Sequence, residues 1–199
     1  MSGVVLVLVV AVVSAAVWVT VSVRQLRRTD ASVRAALGLV HVELDRRYQY
    51  IPGLVLAAAE TVGRELVNTV SGARSLAMRI REEDLDPRRQ AGAENALSEA
   101  LQSLLATANR YPALRNDWAF TRPSHEIEQT EARLAGAIQV YNDMAGRLDR
   151  SLTTFPTGLI ARRIGIVGAQ PFEATILEVP TSGTKDADAG DDGVADVAA

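Results

Sequence analysis

Few residues in this chain carry chemistry at a usable spacing. His41 and Asp45 lie four apart, the spacing at which one helix face presents both to a metal ion. The only other histidine is His125, and no second pair completes a site, so the simpler reading is a solvated ion pair on a helix. His125 and Glu126 fall at a predicted helix start, where capping and the helix dipole account for them. Arg46 and Arg47, beside Tyr48 and Tyr50, have the chemistry to meet lipid phosphate or another protein; the simpler reading is a snorkelling surface. Glu131 falls on the apolar seam of its own helix, with Arg133 nearby. A carboxylate there needs a cation, which Arg46 or Arg47 would supply, and the pair would fix helix register. Tyr141 and Asn142 have the groups to hydrogen-bond across a bundle. No Gly-rich phosphate loop, nucleophile elbow or paired zinc-ligand motif occurs. The expectation is a protein with no catalytic residues, no metal, no cofactor and no enzymatic activity.

Composition narrows the elements that position these residues. The net charge of −3 gives no pull on nucleic acid, so none is expected as a partner. Aromatics make up 5% of the chain, which suits helices packed through Leu, Val and Ala better than a sheet. The chain has no Cys, which excludes disulfides, thiolate zinc sites and lipoprotein modification.

Residues 3–23, GVVLVLVVAVVSAAVWVTVSV, contain no charge. As a helix they span about 31 Å, the thickness of a bilayer core. A buried core helix would show a polar face, and a cleaved signal would have basic residues before its apolar core rather than after it. The segment therefore reads as an uncleaved anchor, followed by a basic juxtamembrane stretch, residues 24–30. Arg24, Arg27 and Arg28 set the orientation: the amino terminus outside, the body cytoplasmic, and Trp18 at the interface. A translocated body is the runner-up.

Beyond the anchor, apolar positions from Val33 to Ile80 recur every three or four residues, at a mean near the helical period of 3.6. The phase does not slip at Pro52 and Gly53. The spacing predicts one long helix over 31–80, kinked at Pro52; a tight break there, giving two antiparallel helices, is the alternative. The polar stretch 81–89 reads as a loop. A second helix is predicted over 90–110, ended by Pro112, with Trp118 and Phe120 anchoring the next connection. A third starts at Ser124 as N-cap. It carries a coiled-coil-like seam, with Ile127, Leu134, Tyr141, Leu148 and Phe155 in one position and Ile138, Ala145 and Leu152 in the other, and Pro156 stops it. Residues 157–166 read as a short amphipathic helix. Residues 176–199, rich in Gly, Asp and Ala, read as a disordered acidic tail.

Four stretches together resemble the LemA family of bacterial membrane-anchored helical proteins: LDRRYQYIPGLV (44–55), YPALRNDWAF (111–120), EIEQTEARL (126–134) with YND (141–143), and TTFP (153–156) followed by PFE (171–173). The resemblance covers about residues 1–173. It implies an amino-terminal transmembrane helix, an antiparallel helical bundle in the cytoplasm, and no established enzymatic activity or cofactor. The chain departs from the family pattern at Gly53, where Asn is usual. It departs again at Leu148 and Asp149, where a second Tyr-Asn pair is usual, and at Ile138 and Val140, where basic residues are usual. These changes make the seam more apolar, which favours packing over ligand chemistry.

The fold class expected is all-α: a single transmembrane helix (1–23), then an elongated antiparallel bundle (31–175). The function expected is that of a membrane-anchored scaffold or interaction protein. Its partners would be the lipid bilayer and itself, as a homo-oligomer, or another membrane protein, because the first helix carries more apolar stripe than the second can cover. A ligand-sensing bundle with a pocket near Tyr141 and the kink is the alternative.

Overall fold

The computed structural model describes residues 2–83, 86–155, 157–175 and 177. Helices account for all of the regular structure among them. They are α1 (Ser2–Ala58), α2 (Arg64–Glu82), α3 (Pro87–Ala108), α4 (Pro112–Arg115), α5 (Trp118–Thr153) and α6 (Thr157–Ile164). Residues 165–175 follow without helix. They form a strap back along α5.

At 1.5 Å per residue, α1 is roughly 85 Å long. Its amino-terminal part is long and apolar enough to cross a membrane, and none of that window is buried. The remainder packs antiparallel to α5, in a register marked by Arg133 Nε at 3.1 Å from Glu43 Oε2 and by Gly53 against Pro123. Beyond the level of about His41, α2 and α3 complete a four-helix arrangement. The core consists of Val40, Leu44, Tyr48, Ile51 and Leu54 from α1, Val70 and Ala77 from α2, Leu97, Leu101 and Leu104 from α3, and Ile127, Leu134 and Ile138 from α5.

The helix runs through Pro52, but not to residue 80. It ends at Ala58, and the chain reverses over 59–63. The turn passes through Gly63 at φ +91°, a conformation that glycine adopts without the Cβ clash other residues meet. The apparent phase continuity across the turn is accidental. The stripe extended from α1 would bury Thr69 and Leu76, yet both are exposed, and Val70 and Ala77 are buried instead. The register steps by one residue at the turn, and adjacent apolar residues on α2, Leu66 with Val67 and Leu76 with Ala77, hide that step.

Other boundaries move for local reasons. Asp86 caps α3 by accepting from the Arg88 amide at 3.4 Å, and Pro87 takes the first helical position, where no amide is required. The loop predicted over 81–89 therefore shrinks, and α3 ends at Ala108, with Pro112 opening α4 rather than ending α3. Asp117, not Ser124, caps α5, accepting from the Ala119 amide at 2.9 Å. Ser124 lies inside that helix, its hydroxyl donating to the Phe120 carbonyl at 2.8 Å. Phe120 is buried, whereas Trp118 is 73% exposed and anchors nothing. The seam of α5 holds from Ile127 to Leu148, but Phe155 lies beyond the helix end and is 80% exposed. Pro156 and most of the expected tail, residues 176 and 178–199, lie outside the described residues.

Pro52 is tolerated because its missing donor is replaced. In a helix the amide at 52 would bond the carbonyl of Tyr48. That carbonyl instead accepts from Arg74 Nε of α2 at 2.8 Å. The proline thus opens an acceptor that ties α2 to α1. Arg74→Met is expected to cost about 1–2 kcal/mol in the native chain and much less in a Pro52→Ala background, where the restored amide satisfies Tyr48. Denaturant melts of the four proteins in a double-mutant cycle check this; an equal cost in both backgrounds refutes the exchange of donors.

Candidate functional site

A charged cluster lies in the middle of the four-helix part. Arg47 of α1, Glu94 of α3 and Glu131 of α5 are 1%, 0% and 2% exposed. Each occupies an apolar face of its helix. Arg47 precedes Tyr48 and Ile51, Glu94 precedes Leu97 and Leu101, and Glu131 falls between Ile127 and Leu134. Packing those faces forces the three side chains together.

The geometry is that of a shared guanidinium. Arg47 Nε lies 2.8 Å from Glu131 Oε1 as an ion pair rather than an aligned hydrogen bond. Nη1 donates to Glu94 Oε2 at 3.4 Å and Nη2 to Ser98 Oγ at 2.8 Å. The Tyr48 hydroxyl donates to Glu94 Oε1. Ser98 Oγ donates onward to the Thr175 carbonyl at 3.0 Å, and the Leu177 amide donates to Glu131 Oε2 at 3.3 Å. One arginine thereby joins α1, α3, α5 and the strap. At the edge, Arg81 of α2 pairs with Asp45 at 2.5 Å, and its guanidinium lies 5.9 Å from the centre of the Tyr48 ring, within cation–π range.

Two carboxylates share one buried guanidinium, so the cluster has a surplus negative charge when both are ionised. Burial pushes the carboxyl groups of Glu94 and Glu131 above the ordinary carboxylate range, and the Arg47 charge opposes the shift without cancelling it. Burial, reinforced by the Glu94 carboxylate, raises the Tyr48 phenol as well. The proton therefore stays on Tyr48, which remains a donor.

A second polar set holds the strap. Asn142 reads the backbone of Phe172 twice: its amide nitrogen donates to the carbonyl at 3.1 Å, and its oxygen accepts from the amide at 2.8 Å. Asn95 of α3 does the same to Thr175 and Glu173, at 2.5 and 3.2 Å. The Tyr141 hydroxyl donates to the Gln170 carbonyl at 2.7 Å. The Phe172 ring, 1% exposed, sits edge-on to Tyr141 with centroids 6.5 Å apart.

The residues singled out by sequence have different fates. Arg47, Glu131, Tyr141 and Asn142 all enter these two networks. Arg46 does not: it is half exposed and pairs with Glu43 at 3.1 Å. His41 and Asp45 do not pair with each other. His41 Nε2 lies 3.3 Å from Gln90 Oε1, and Asp45 goes to Arg81. His125 is exposed, 3.6 Å from Glu128. Arg24, Arg27 and Arg28 are exposed on α1, just past Trp18 and the apolar run. Gly53 faces Pro123, Pro52 is exposed, and a cleft of about 340 Å³ opens beside Gly53 between Tyr50, Trp118, Arg122 and Glu126. Among the described residues, no group of three or more His, Asp or Glu side chains converges on a metal-sized site. Sequence reasoning missed Glu94, Asn95 and Ser98, and marked Phe172 only within PFE (171–173), with no role assigned. Glu94 was findable by the signal that marked Glu131, an acid on an apolar helix face.

A family model described as the LemA family matches residues 36–181. That span holds both networks and the strap, and leaves out the apolar run. No curated protein matches the chain.

Proposed function

The chain belongs to the LemA family, and from that premise we propose that it is a membrane-anchored helical scaffold, non-catalytic and self-associating, with residues 3–23 as the anchor. The observation that carries this reading is the inaccessibility of its strongest charge cluster. Arg47, Glu94 and Glu131 are spent on one another and on the strap, and none of the three lines the cleft beside Gly53 or the one beside Val21. A buried ion network of this kind specifies register and partner helices rather than turning over a substrate. Self-association is supported by exposed apolar side chains on the packed helices: Leu39 and Val42 on α1 and Val140 on α5, which the α1–α5 register brings to nearby levels. The surplus stripe does not support it, because the turn at 59–63 folds α2 back. The Arg24, Arg27 and Arg28 cluster orients the body to the cytoplasm on the charge rule.

The test is the mass of the full chain purified in detergent. A defined multiple of 21.3 kDa, reduced to the monomer by Leu39→Glu with Val42→Glu, is the expected result. A monodisperse monomer overturns self-association. A second reading, ligand sensing, rests on the cleft beside Gly53 and would be favoured by a monomer whose melting temperature rises saturably with a small molecule, an effect lost in Trp118→Ala.

A further inference from the structure

The end of the body that meets the apolar run is built differently from the rest. The end of α5 and the start of α6 lie at the level of α1 residues 21–25, so that Val21, Ser22 and Gln25 share a cleft of about 550 Å³ with Arg147, Arg150 and Thr157. The hydroxyls of Ser151 and Thr29 in the same cleft are turned to their own helix carbonyls, at 2.9 and 3.1 Å. The side chains of Ser22, Gln25, Arg147, Arg150 and Thr157 have no such engagement among the described residues. Arg24, Arg27, Arg28, Arg162 and Arg163 are exposed around the same end. None of these seven arginines makes an ion pair among the described residues. Asp143 and Asp149 of α5 make no ion pair among the described residues, and Asp30 is taken by Arg34. Phe155 and Leu159 are 80% and 60% exposed beside the cleft. The two helices meet closely: a Cβ on Gly158 of α6 would run into the Leu152 carbonyl of α5, so α6 is held against the end of α5.

We propose that this cleft binds the phosphate headgroup of an anionic phospholipid, with Arg147 and Arg150 as its cationic ligands and Phe155 and Leu159 entering the acyl boundary. The inference rests on the reading of residues 3–23 as a membrane anchor. Three features point to lipid as the occupant. The cleft is continuous with the last residues of the apolar run 3–23, as Val21 lines it. The uncommitted side chains are donors of the kind that bind phosphate. Large apolar groups are exposed at the same level as the headgroups. Folding brings Arg147, Arg150 and α6 to the juxtamembrane arginines from more than a hundred residues away in sequence, so the basic collar is a tertiary feature.

The absence of native Cys makes the test direct. Single variants Val10→Cys, Leu56→Cys and Leu159→Cys of the full chain carry an environment-sensitive fluorophore in nanodiscs of phosphatidylcholine, with or without phosphatidylglycerol. Position 10 is expected to report hydrocarbon in both discs, and position 56, at the far tip, water in both. Position 159 is expected to move from water to the interface when phosphatidylglycerol is present. Arg147→Glu with Arg150→Glu should lower that preference roughly thirtyfold or more, since each surface arginine contributes about a factor of five near an anionic leaflet. Arg147→Gln with Arg150→Gln, a milder change, should lower it in the same direction. Water at position 159 with hydrocarbon at position 10 overturns the lipid site and leaves the anchor standing. Water at position 10 overturns the anchor, and the site falls with it. An unchanged response in both double variants overturns the assignment of the arginines.

Discussion

Arg47→Met is expected to destabilise the body by about 3–5 kcal/mol at neutral pH, because it leaves two buried carboxylates without their cation. Arg47 is 1% exposed, and neither Glu94 nor Glu131 has water to turn to. The loss should depend on pH with a definite sign. Both carboxyl groups already titrate above their ordinary range in the folded protein, so the folded state holds more protons than the unfolded one in the window between the ordinary value and the raised one. Stability from these groups is fully present below the ordinary carboxylate value and is lost as pH rises through the folded value. The native chain should therefore lose stability from mildly acid pH upward on this account, and Glu94→Gln should flatten that slope. In Arg47→Met the carboxyl groups shift further up, so the variant should recover towards acid pH. Combining Arg47→Met with Glu94→Gln and Glu131→Gln should restore most of the loss at neutral pH, because the buried charge is gone. Thermal and denaturant melts over a pH series measure all four proteins. A cost below about 1 kcal/mol for Arg47→Met at neutral pH, or a loss independent of pH, would sink the account.

Phe172→Ala should release the strap while the helices stay assembled. Truncating a buried Phe costs about 3–5 kcal/mol, and here the loss falls on a segment with few other apolar anchors. Residues 169–175 are held chiefly by side-chain amides and hydroxyls reading their backbone, from Asn142, Asn95, Ser98 and Tyr141. Each such bond contributes only about 1 kcal/mol net, and ordering each residue costs about 1–2 kcal/mol of backbone entropy. Without the ring between the strap and Tyr141, the balance turns against docking. Amides from 170 to 175 should lose hydrogen-exchange protection, while those of α1 and α5 near Val40 and Ile138 keep theirs. Asn142→Ala should act in the same direction and by less. Unchanged protection in Phe172→Ala would mean that the amide contacts alone hold the strap.

The two networks also show where reading residues in order succeeds and fails. A 21-residue uncharged run specifies its own helix, and one long and apolar enough to cross a membrane, because length and composition need no knowledge of any other segment. The helical class follows from periodicity in the same local way. Glu131 could be marked from sequence because an acid on an apolar face must find a cation, and the nearest arginines on the opposite helix were few. The partner among them, Arg47 rather than Arg46, was decided by one step around α1: the two are 100° apart, and only one of them faces α5. The turn at 59–63 was illegible because the apolar period survived it by coincidence, and the feature that makes the turn, positive φ at Gly63, leaves no mark on periodicity. Pro52 is a weak point of α1 in sequence, yet tertiary structure makes it a joint, since a side chain 22 residues later supplies the donor for the Tyr48 carbonyl that the proline lacks.

What the sequence by itself determined is therefore the local part: an apolar segment of membrane length, the helical class, the inward face of most helices, and the family. The tertiary structure alone decided which charges meet, that residues 165–175 return as a strap over Tyr141 and Asn142, and that Arg147, Arg150 and α6 gather beside the end of the apolar run. The physical reason is one of range. Hydrophobic periodicity and segment length act within a few turns of one helix, whereas a buried ion pair or a basic collar depends on the packing of helices far apart in the chain.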